Sequence, residues 1–152
     1  MARDSRRIVV GYDGSALSGA ALDWAALAAE QRQLSLTVLL AIEEPVPGST
    51  AHAMRLGLGE EVAHRFAAES LRRARRSAAS IEITIETHLG APGHALIQNS
   101  RQAELIVLGA HGRNQSTDGA AGPVALDVSA RAHCPVMVIG STDVLVQPAE
   151  SA

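Results

Sequence analysis

The strongest chemical signal in this sequence is a set of glycines around one apolar segment. Residues 105–108 are consecutively apolar and end at Gly109, a pattern typical of a buried strand in a parallel sheet. Gly112 follows in the next turn, and Gly122 stands just before a helical pattern. Glycines that lead from a central strand into a helix leave backbone N–H groups and the positive end of the helix dipole facing an anion. This spacing predicts a site for phosphate or another anion; a glycine-rich loop without a ligand is the alternative.

A second turn, at the end of the first predicted strand, contains an acid. Gly11 and Tyr12 close the apolar run 8–10, and Asp13 and Ser15 follow. Asp13 is placed to accept hydrogen bonds from ribose hydroxyls, as acids do in dinucleotide-binding folds. The alternative is that Asp13 or Ser15 caps the next helix.

The composition excludes several classes of protein. The 152 residues suffice for one domain with a full core. None of the 13 basic residues is lysine, which excludes a P-loop and lysine chemistry. A net charge of -3 and 2% aromatic residues argue against a nucleic-acid or membrane partner. The single Cys134 and the lack of an apolar leader predict a cytoplasmic protein without an internal disulfide.

Other polar residues have ordinary interpretations. His111 has no second ligand or base at a suitable spacing, and the histidines form no metal-binding pattern, so we predict no catalytic or metal residue. The basic run 72–76 predicts a solvated helix face paired with Glu69, and binding of RNA or an acidic partner is the alternative.

Strands and helices alternate along the chain, which predicts an α/β fold. We expect strands at 8–11, 36–42, 81–86, 105–108 and 136–139, and helices at 16–31, 57–77, 92–101 and 123–132. This is the pattern of a five-stranded, parallel, doubly wound sheet with helices on both faces. The third strand alternates with charged residues whereas the second is continuously apolar, which places the third at an edge and favours the order 3-2-1-4-5 over 2-1-3-4-5. That order reverses between the first and fourth strands, where such sheets bind ligands.

The fifth strand forms the opposite edge of the predicted sheet. Val136–Ile139 is too apolar to remain bare, so we expect it to pair antiparallel with a second copy in a homodimer. We assign residues 1–140 to one domain and expect residues 141–152 to form a poorly ordered C-terminal tail that contains at most a short extended piece.

Several segments together resemble the universal stress protein family. The resemblance rests on residues 9–15 (Val-Val-Gly-Tyr-Asp-Gly-Ser), 40–43, 105–113, 122–124 (Gly-Pro-Val) and 133–136 (His-Cys-Pro-Val), in the family's order. It spans about residues 5–140, and the last motif is specific to the family. It implies a Rossmann-like fold of the adenine nucleotide alpha hydrolase-like type, which often dimerises through its last strand and in some members binds ATP.

The resemblance also implies a nucleotide site. Asp13 would bind the ribose, and the backbone of Ala41 would meet the edge of the adenine. The residues that the resemblance places at the nucleotide are Gly11, Tyr12 and Asp13 for adenosine, Ala41 for adenine, Gly109, His111, Gly112 and Arg113 for ribose and phosphates, and Gly122, Pro123, Val124 and Ala125 for the phosphate tail.

Pro123 departs from the family pattern, because ATP-binding members carry Ser or Thr there. Proline supplies neither a hydroxyl nor an N–H, although the N–H groups of Gly122, Val124 and Ala125 remain. Losing two charge-assisted hydrogen bonds of roughly 1.5–3 kcal/mol each would weaken triphosphate binding by about a hundredfold or more.

We therefore expect a homodimeric stress-response protein that binds ATP or another adenine nucleotide, with or without Mg²⁺. We expect no enzymatic activity beyond a slow ATPase, because the sequence shows no general base, metal cage or lysine for phosphoryl transfer. Two alternatives remain open. One is a nucleotide-free dimeric interaction scaffold, supported by Pro123, and the other is a hydrolase or transferase of the wider adenine-binding α/β group.

Overall fold

A computed structural model describes residues 6–42, 50–111, 122–140 and 144–146. The elements in chain order are β1 (Arg7–Tyr12), α1 (Ala16–Arg32), β2 (Ser35–Ile42), α2 (Thr50–Arg75), β3 (Ile83–Leu89), α3 (Pro92–Asn99) with a short 3₁₀ turn (Ser100–Gln102), β4 (Leu105–Gly109), α4 (Pro123–Arg131), β5 (Val136–Ile139) and β6 (Val144–Val146).

The strands form one sheet in the order β3-β2-β1-β4-β5-β6. The neighbours among β1 to β5 pair in parallel, so the predicted order 3-2-1-4-5 is confirmed. β3 lies at one edge, where Glu82 and Thr84 are exposed. The polar residues that alternate along β3 are therefore tolerated, because one side of an edge strand can remain in water.

Helices cover both faces of the sheet. α1 and α2 pack on one face, where Ile8 and Val10 of β1 are fully buried. α3 and α4 pack on the other face, against Val9 of the same strand. Since both faces of β1 are covered, its continuous apolar sequence has a direct structural reason. Alanines on the buried side of α1 bring that helix close to the sheet: Ala21, Ala25, Ala26, Ala28 and Ala29.

α2 and its basic run differ from the prediction. The helix begins at Thr50 instead of residue 57, since the glycines at 57 and 59 cost about 1 kcal/mol each and do not break it. The predicted pairing with Glu69 is wrong for Arg73, whose guanidinium forms two hydrogen bonds of 2.8 and 2.9 Å with Asp23 of α1. Arg75 instead donates to the carbonyl oxygen of Ile81 at 2.7 Å.

β6 covers the outer edge of β5 within the same chain. The two strands are antiparallel, with Val136 opposite Val146 and Val138 opposite Val144. β6 lies in the segment that the sequence predicted to be a tail, whose other residues, 141–143 and 147–152, lie outside the described residues. The edge that we predicted to be available to a second copy is thus already paired along three residues.

Within the described part of the chain, no helix is both long and apolar enough to cross a lipid bilayer.

Candidate functional site

β1 and β4 separate at their carboxyl ends. They pair only along residues 8–10 and 105–107, although each strand continues for two more residues, to Tyr12 and Gly109. β1 and β2 remain paired up to Tyr12 and Leu40. The strand order reverses between β1 and β4, which is where ligands bind in open α/β sheets; we call the region beyond the carboxyl ends of these two strands the crevice.

The turn after β1 lines one side of this crevice and is held by its own polar groups. Ser15 caps α1, since its side chain accepts a hydrogen bond from the N–H of Ser18 at 3.3 Å. The Asp13 carboxylate accepts one from the N–H of Ser15 at 2.9 Å, and the Asp13 N–H donates to the Ser18 hydroxyl at 3.2 Å. Gly14 has a φ of +84°, a conformation that favours glycine. Of the two predicted candidates, Ser15 is the helix cap, and Asp13 orders the turn before it.

Gly109 is required by the packing of α1. A β-carbon at this position would lie 3.0 Å from the carbonyl carbon and the β-carbon of Leu17, and 3.0 Å from the nitrogen of Ser18. The close backbone approach that the sequence predicted at Gly109 is therefore made by the first turn of α1. This contact also places the Asp13 turn beside the end of β4.

The end of β4 is joined directly to the start of α4. The N–H of Ala110 donates to the carbonyl of Ile139 at 2.8 Å, and the N–H of Gly122 donates to the carbonyl of Ala110 at 2.7 Å. His111, half-buried, therefore lies close to the N-terminus of α4 despite the intervening residues. We expected the Gly122 N–H to remain available to a phosphate. This expectation is wrong, because the N–H is bonded to the carbonyl of Ala110.

The first turn of α4 has no side-chain cap from its N-cap residue. Gly122 is that N-cap, and Pro123, which is exposed, is the first helical residue. The N–H of Leu126 donates to the carbonyl of Gly122 at 3.0 Å, which is the first intrahelical hydrogen bond of α4. The N–H groups of Val124 and Ala125 come before it and have no acceptor within the helix. The positive end of the helix dipole adds to their attraction for an anion.

The remaining predicted residues fall in different places. The Tyr12 side chain is only 5% exposed and packs in the core under α1 and α2, so it is the main chain of Tyr12 that reaches the crevice. Ala41 follows Leu40 at the end of β2, opposite His88 of β3. Gly112 and Arg113 lie outside the described residues. In the part of the chain that is described, no group of three or more potential metal ligands occurs.

Ser18 belongs to no predicted motif, and its hydroxyl bridges the turn. It accepts from the Asp13 N–H at 3.2 Å and donates to the Ser15 carbonyl at 3.1 Å, and the residue is 5% exposed. The available signal was the spacing of Ser15 and Ser18, which suits a capping contact three residues apart. Arg73 was interpreted only as part of a charged run, because its partner in α1 is distant in sequence.

The part of the chain that forms these strands, this turn and this helix N-terminus also matches a known protein family in sequence. The chain matches the model of the Universal stress protein family over residues 5–140. It therefore belongs to the universal stress protein family. It is 31% identical over 160 residues to the universal stress protein Rv2005c of Mycobacterium tuberculosis, a match that covers 99% of this chain and 53% of that protein. The chain thus spans about half the length of this curated relative.

Solved structures share the fold. The universal stress protein UspA from Lactobacillus plantarum matches with a TM-score of 0.74 and 25% identity, over 90% of this chain and 99% of that one. A universal stress protein in complex with cAMP matches with a TM-score of 0.69 and 24% identity, over 90% and 98%. One from Archaeoglobus fulgidus in complex with dAMP matches with a TM-score of 0.60 and 20% identity, over 91% and 99%.

Proposed function

We propose that the crevice between β1 and β4 binds an adenine nucleotide and that the protein acts as a nucleotide-dependent regulator. The observation that carries this proposal is the meeting of the Asp13 turn, His111 and the α4 N-terminus where β1 and β4 separate. A carboxylate that accepts ribose hydroxyls and a helix N-terminus that receives phosphate are the two elements that nucleotide recognition in this fold class needs. Two structures with the same fold hold cAMP and dAMP, which supports an adenosine monophosphate as the ligand.

The roles of the residues follow from their positions. The Asp13 carboxylate, which the Ser15 N–H orients, is the group that we propose accepts hydrogen bonds from the ribose hydroxyls. Ala41, at the end of β2, offers backbone groups to the adenine edge. The N–H groups of Val124 and Ala125 donate hydrogen bonds to phosphate oxygens. Gly109 acts chiefly by leaving room for the first turn of α1 against β4.

Pro123 affects the relative affinities of the site for nucleotides with one and with three phosphates. It stands at the first position of α4, where it supplies no N–H, and the Gly122 N–H is already bonded. Among the described residues, the N–H groups of Val124 and Ala125 are the two first-turn donors that the helix ladder and the β4 end do not use, which suits a single phosphate better than a triphosphate. We propose that AMP or a cyclic nucleotide binds about as well as ATP, that Mg²⁺ is not needed, and that any ATPase activity is slow because the chain has no lysine.

We further propose that homodimerisation through β5 is conditional on β6. The two strands of one chain are covalently linked, so β6 competes for the β5 edge at a higher effective concentration than a second molecule does. Replacing Val138, which is 8% exposed in the core, would destabilise the fold as well as the edge. Removal of β6 is the cleaner test of this interface.

Titration calorimetry with AMP, cAMP and ATP tests the nucleotide proposal, with GMP as the control for base specificity. Asp13→Asn is the matched variant, because it keeps an oxygen that can accept from the Ser15 N–H but removes the charge. We expect AMP affinity to fall by about tenfold, a typical loss for one charge-assisted hydrogen bond. Absence of binding by the wild-type protein at millimolar AMP would contradict the proposal.

A nucleotide-free scaffold is the second candidate, and the proline at the phosphate position is the observation that favours it. Native mass spectrometry of the purified protein distinguishes the two, since a co-purified nucleotide adds its own mass. The scaffold predicts the bare chain mass and no change on addition of AMP.

A further inference from the structure

α2 contacts the β1–α1 turn at one point and the first turn of α1 at another. Phe66 of α2 packs on Gly14, where a β-carbon would lie 2.9 Å from the ring. Two turns further along α2, the Arg73 guanidinium lies over Gly19, where a β-carbon would lie 2.7 Å from its central carbon. We call Phe66 and Arg73 the α2 clamp, because together they bracket the residues that order Asp13.

The Arg73 contact is strongly directional. Its guanidinium forms a two-pronged ion pair with Asp23, with hydrogen bonds of 2.8 and 2.9 Å. Such fork-to-fork pairs fix geometry as well as contributing energy. Gly19 lies one helical turn before Asp23. The Arg73 guanidinium therefore packs on the backbone of α1 at Gly19 while it pairs with Asp23 of the same helix. The absence of a side chain at Gly19 is what admits it.

The same region of α2 also reaches the end of β1. The buried Tyr12 side chain interacts with both Arg73 and Glu69. Burial raises the pKa of Tyr12, the Glu69 carboxylate raises it further, and the Arg73 charge opposes them. The phenol therefore remains protonated and available as a hydrogen-bond donor. α2 thus contacts the residue before Asp13 as well as the residue after it.

α2 is also the element that follows β2. It begins at Thr50, eight residues after β2 ends at Ile42, and Ala41 is the residue proposed to meet the adenine. One helix therefore follows the adenine-binding strand end and holds the ribose-binding turn.

We propose that α2 positions the Asp13 turn for nucleotide binding, with Phe66 and Arg73 as positioning residues that couple occupancy of the crevice to the placement of α2. This inference rests on the proposed function and names how that site is held. Loosening the clamp lowers the fraction of molecules with a binding-competent turn, and the apparent affinity falls by the same fraction. Because linkage is reciprocal, a bound nucleotide must in turn restrain α2.

The test compares Arg73→Met and Phe66→Leu with Arg131→Met. Arg131 is the matched control, because it forms an equally short two-pronged pair, 2.8 and 2.9 Å, with Asp127 of α4, remote from α2. Calorimetry with AMP is performed well below the melting temperature of each variant, so that loss of global stability does not change the measured Kd. We expect about tenfold weaker AMP binding in each clamp variant and no change in the control.

A double-mutant cycle separates positioning from general damage to the fold. In the Asp13→Asn background the Arg73→Met change should weaken AMP much less, because the carboxylate that it positions is gone. Equal losses in both backgrounds would overturn the inference. So would wild-type affinity in both clamp variants, while the proposed function would stand.

Hydrogen exchange provides a readout that does not depend on nucleotide. Without ligand, amides of residues 13–19 should exchange faster in both clamp variants than in the wild type and in Arg131→Met. Unchanged exchange there would refute the clamp even if the wild-type protein bound no nucleotide. With AMP added to the wild type, slower exchange in the C-terminal half of α2 is the expected sign of coupling.

Discussion

Replacing Gly109 with alanine should lower the stability of the ligand-free protein. If Gly109 served only to let a ligand approach the backbone, the stability of the ligand-free protein would not change. The new β-carbon would lie 3.0 Å from three atoms of Leu17 and Ser18. Two of these are backbone atoms of the first turn of α1 and cannot rotate away. Carbon atoms pack at about 3.5–4.0 Å, so α1 must shift by a few tenths of an ångström.

The cost can be estimated from related changes. Overpacking of a core by one methyl group costs about 1–3 kcal/mol. For a domain of this size each kcal/mol lowers the melting temperature by about 2–4 °C, so Gly109→Ala should lower it by about 2–12 °C. The shift would also lengthen the capping contact between Ser15 and Ser18, which already measures 3.3 Å.

Gly93→Ala is the control, because its β-carbon would meet ordinary contacts. The nearest atoms are a carboxylate oxygen of Asp127 at 3.4 Å and a methyl group of Val124 at 3.9 Å. Alanine in α3 gains up to about 1 kcal/mol of helix propensity, so this variant should be unchanged or slightly more stable. Thermal unfolding followed by circular dichroism, without nucleotide, measures both. A wild-type melting temperature for Gly109→Ala would refute the assignment of Gly109 to helix packing and would favour a ligand contact.

Three further predictions concern the site, the edge and the core. Pro123→Ser adds a hydroxyl and an N–H at the start of α4, and should improve ATP binding by about 1–3 kcal/mol with little gain for AMP in calorimetry; equal gains would place the outer phosphates elsewhere. A chain ending at Gly140 lacks β6 and should dimerise at concentrations where the full chain is monomeric in light scattering; a dimer in both would locate the interface away from the covered edge. Burial raises the pKa of the Cys134 thiol from 9.0 to about 11, so the unfolded thiol ionises first and stability should fall as pH rises from about 9 to 11. The loss, up to about 2–3 kcal/mol in urea unfolding, should disappear in Cys134→Ala, and an identical pH profile in that variant would contradict it.

Local patterns determined much of this fold. The apolar runs of β2 and β4, the alternating third strand and Pro92 at the start of α3 all act through near neighbours in sequence, so the elements and the strand order could be predicted. The two candidate turns could be placed at one crevice because parallel strands end on the same side of a sheet.

Contacts between distant residues decided the rest. The partner of Gly109 is the first turn of α1, the partner of Arg73 is Asp23, and the Gly122 N–H bonds to Ala110. Each contact depends on how closely a helix packs against the sheet or against another helix, to within less than an ångström. The order of residues along the chain does not specify such distances. β6 shows the same limit: the sequence predicted at most a short extended piece after Gly140, and these three residues form a strand because β5 offers an apolar edge beside them.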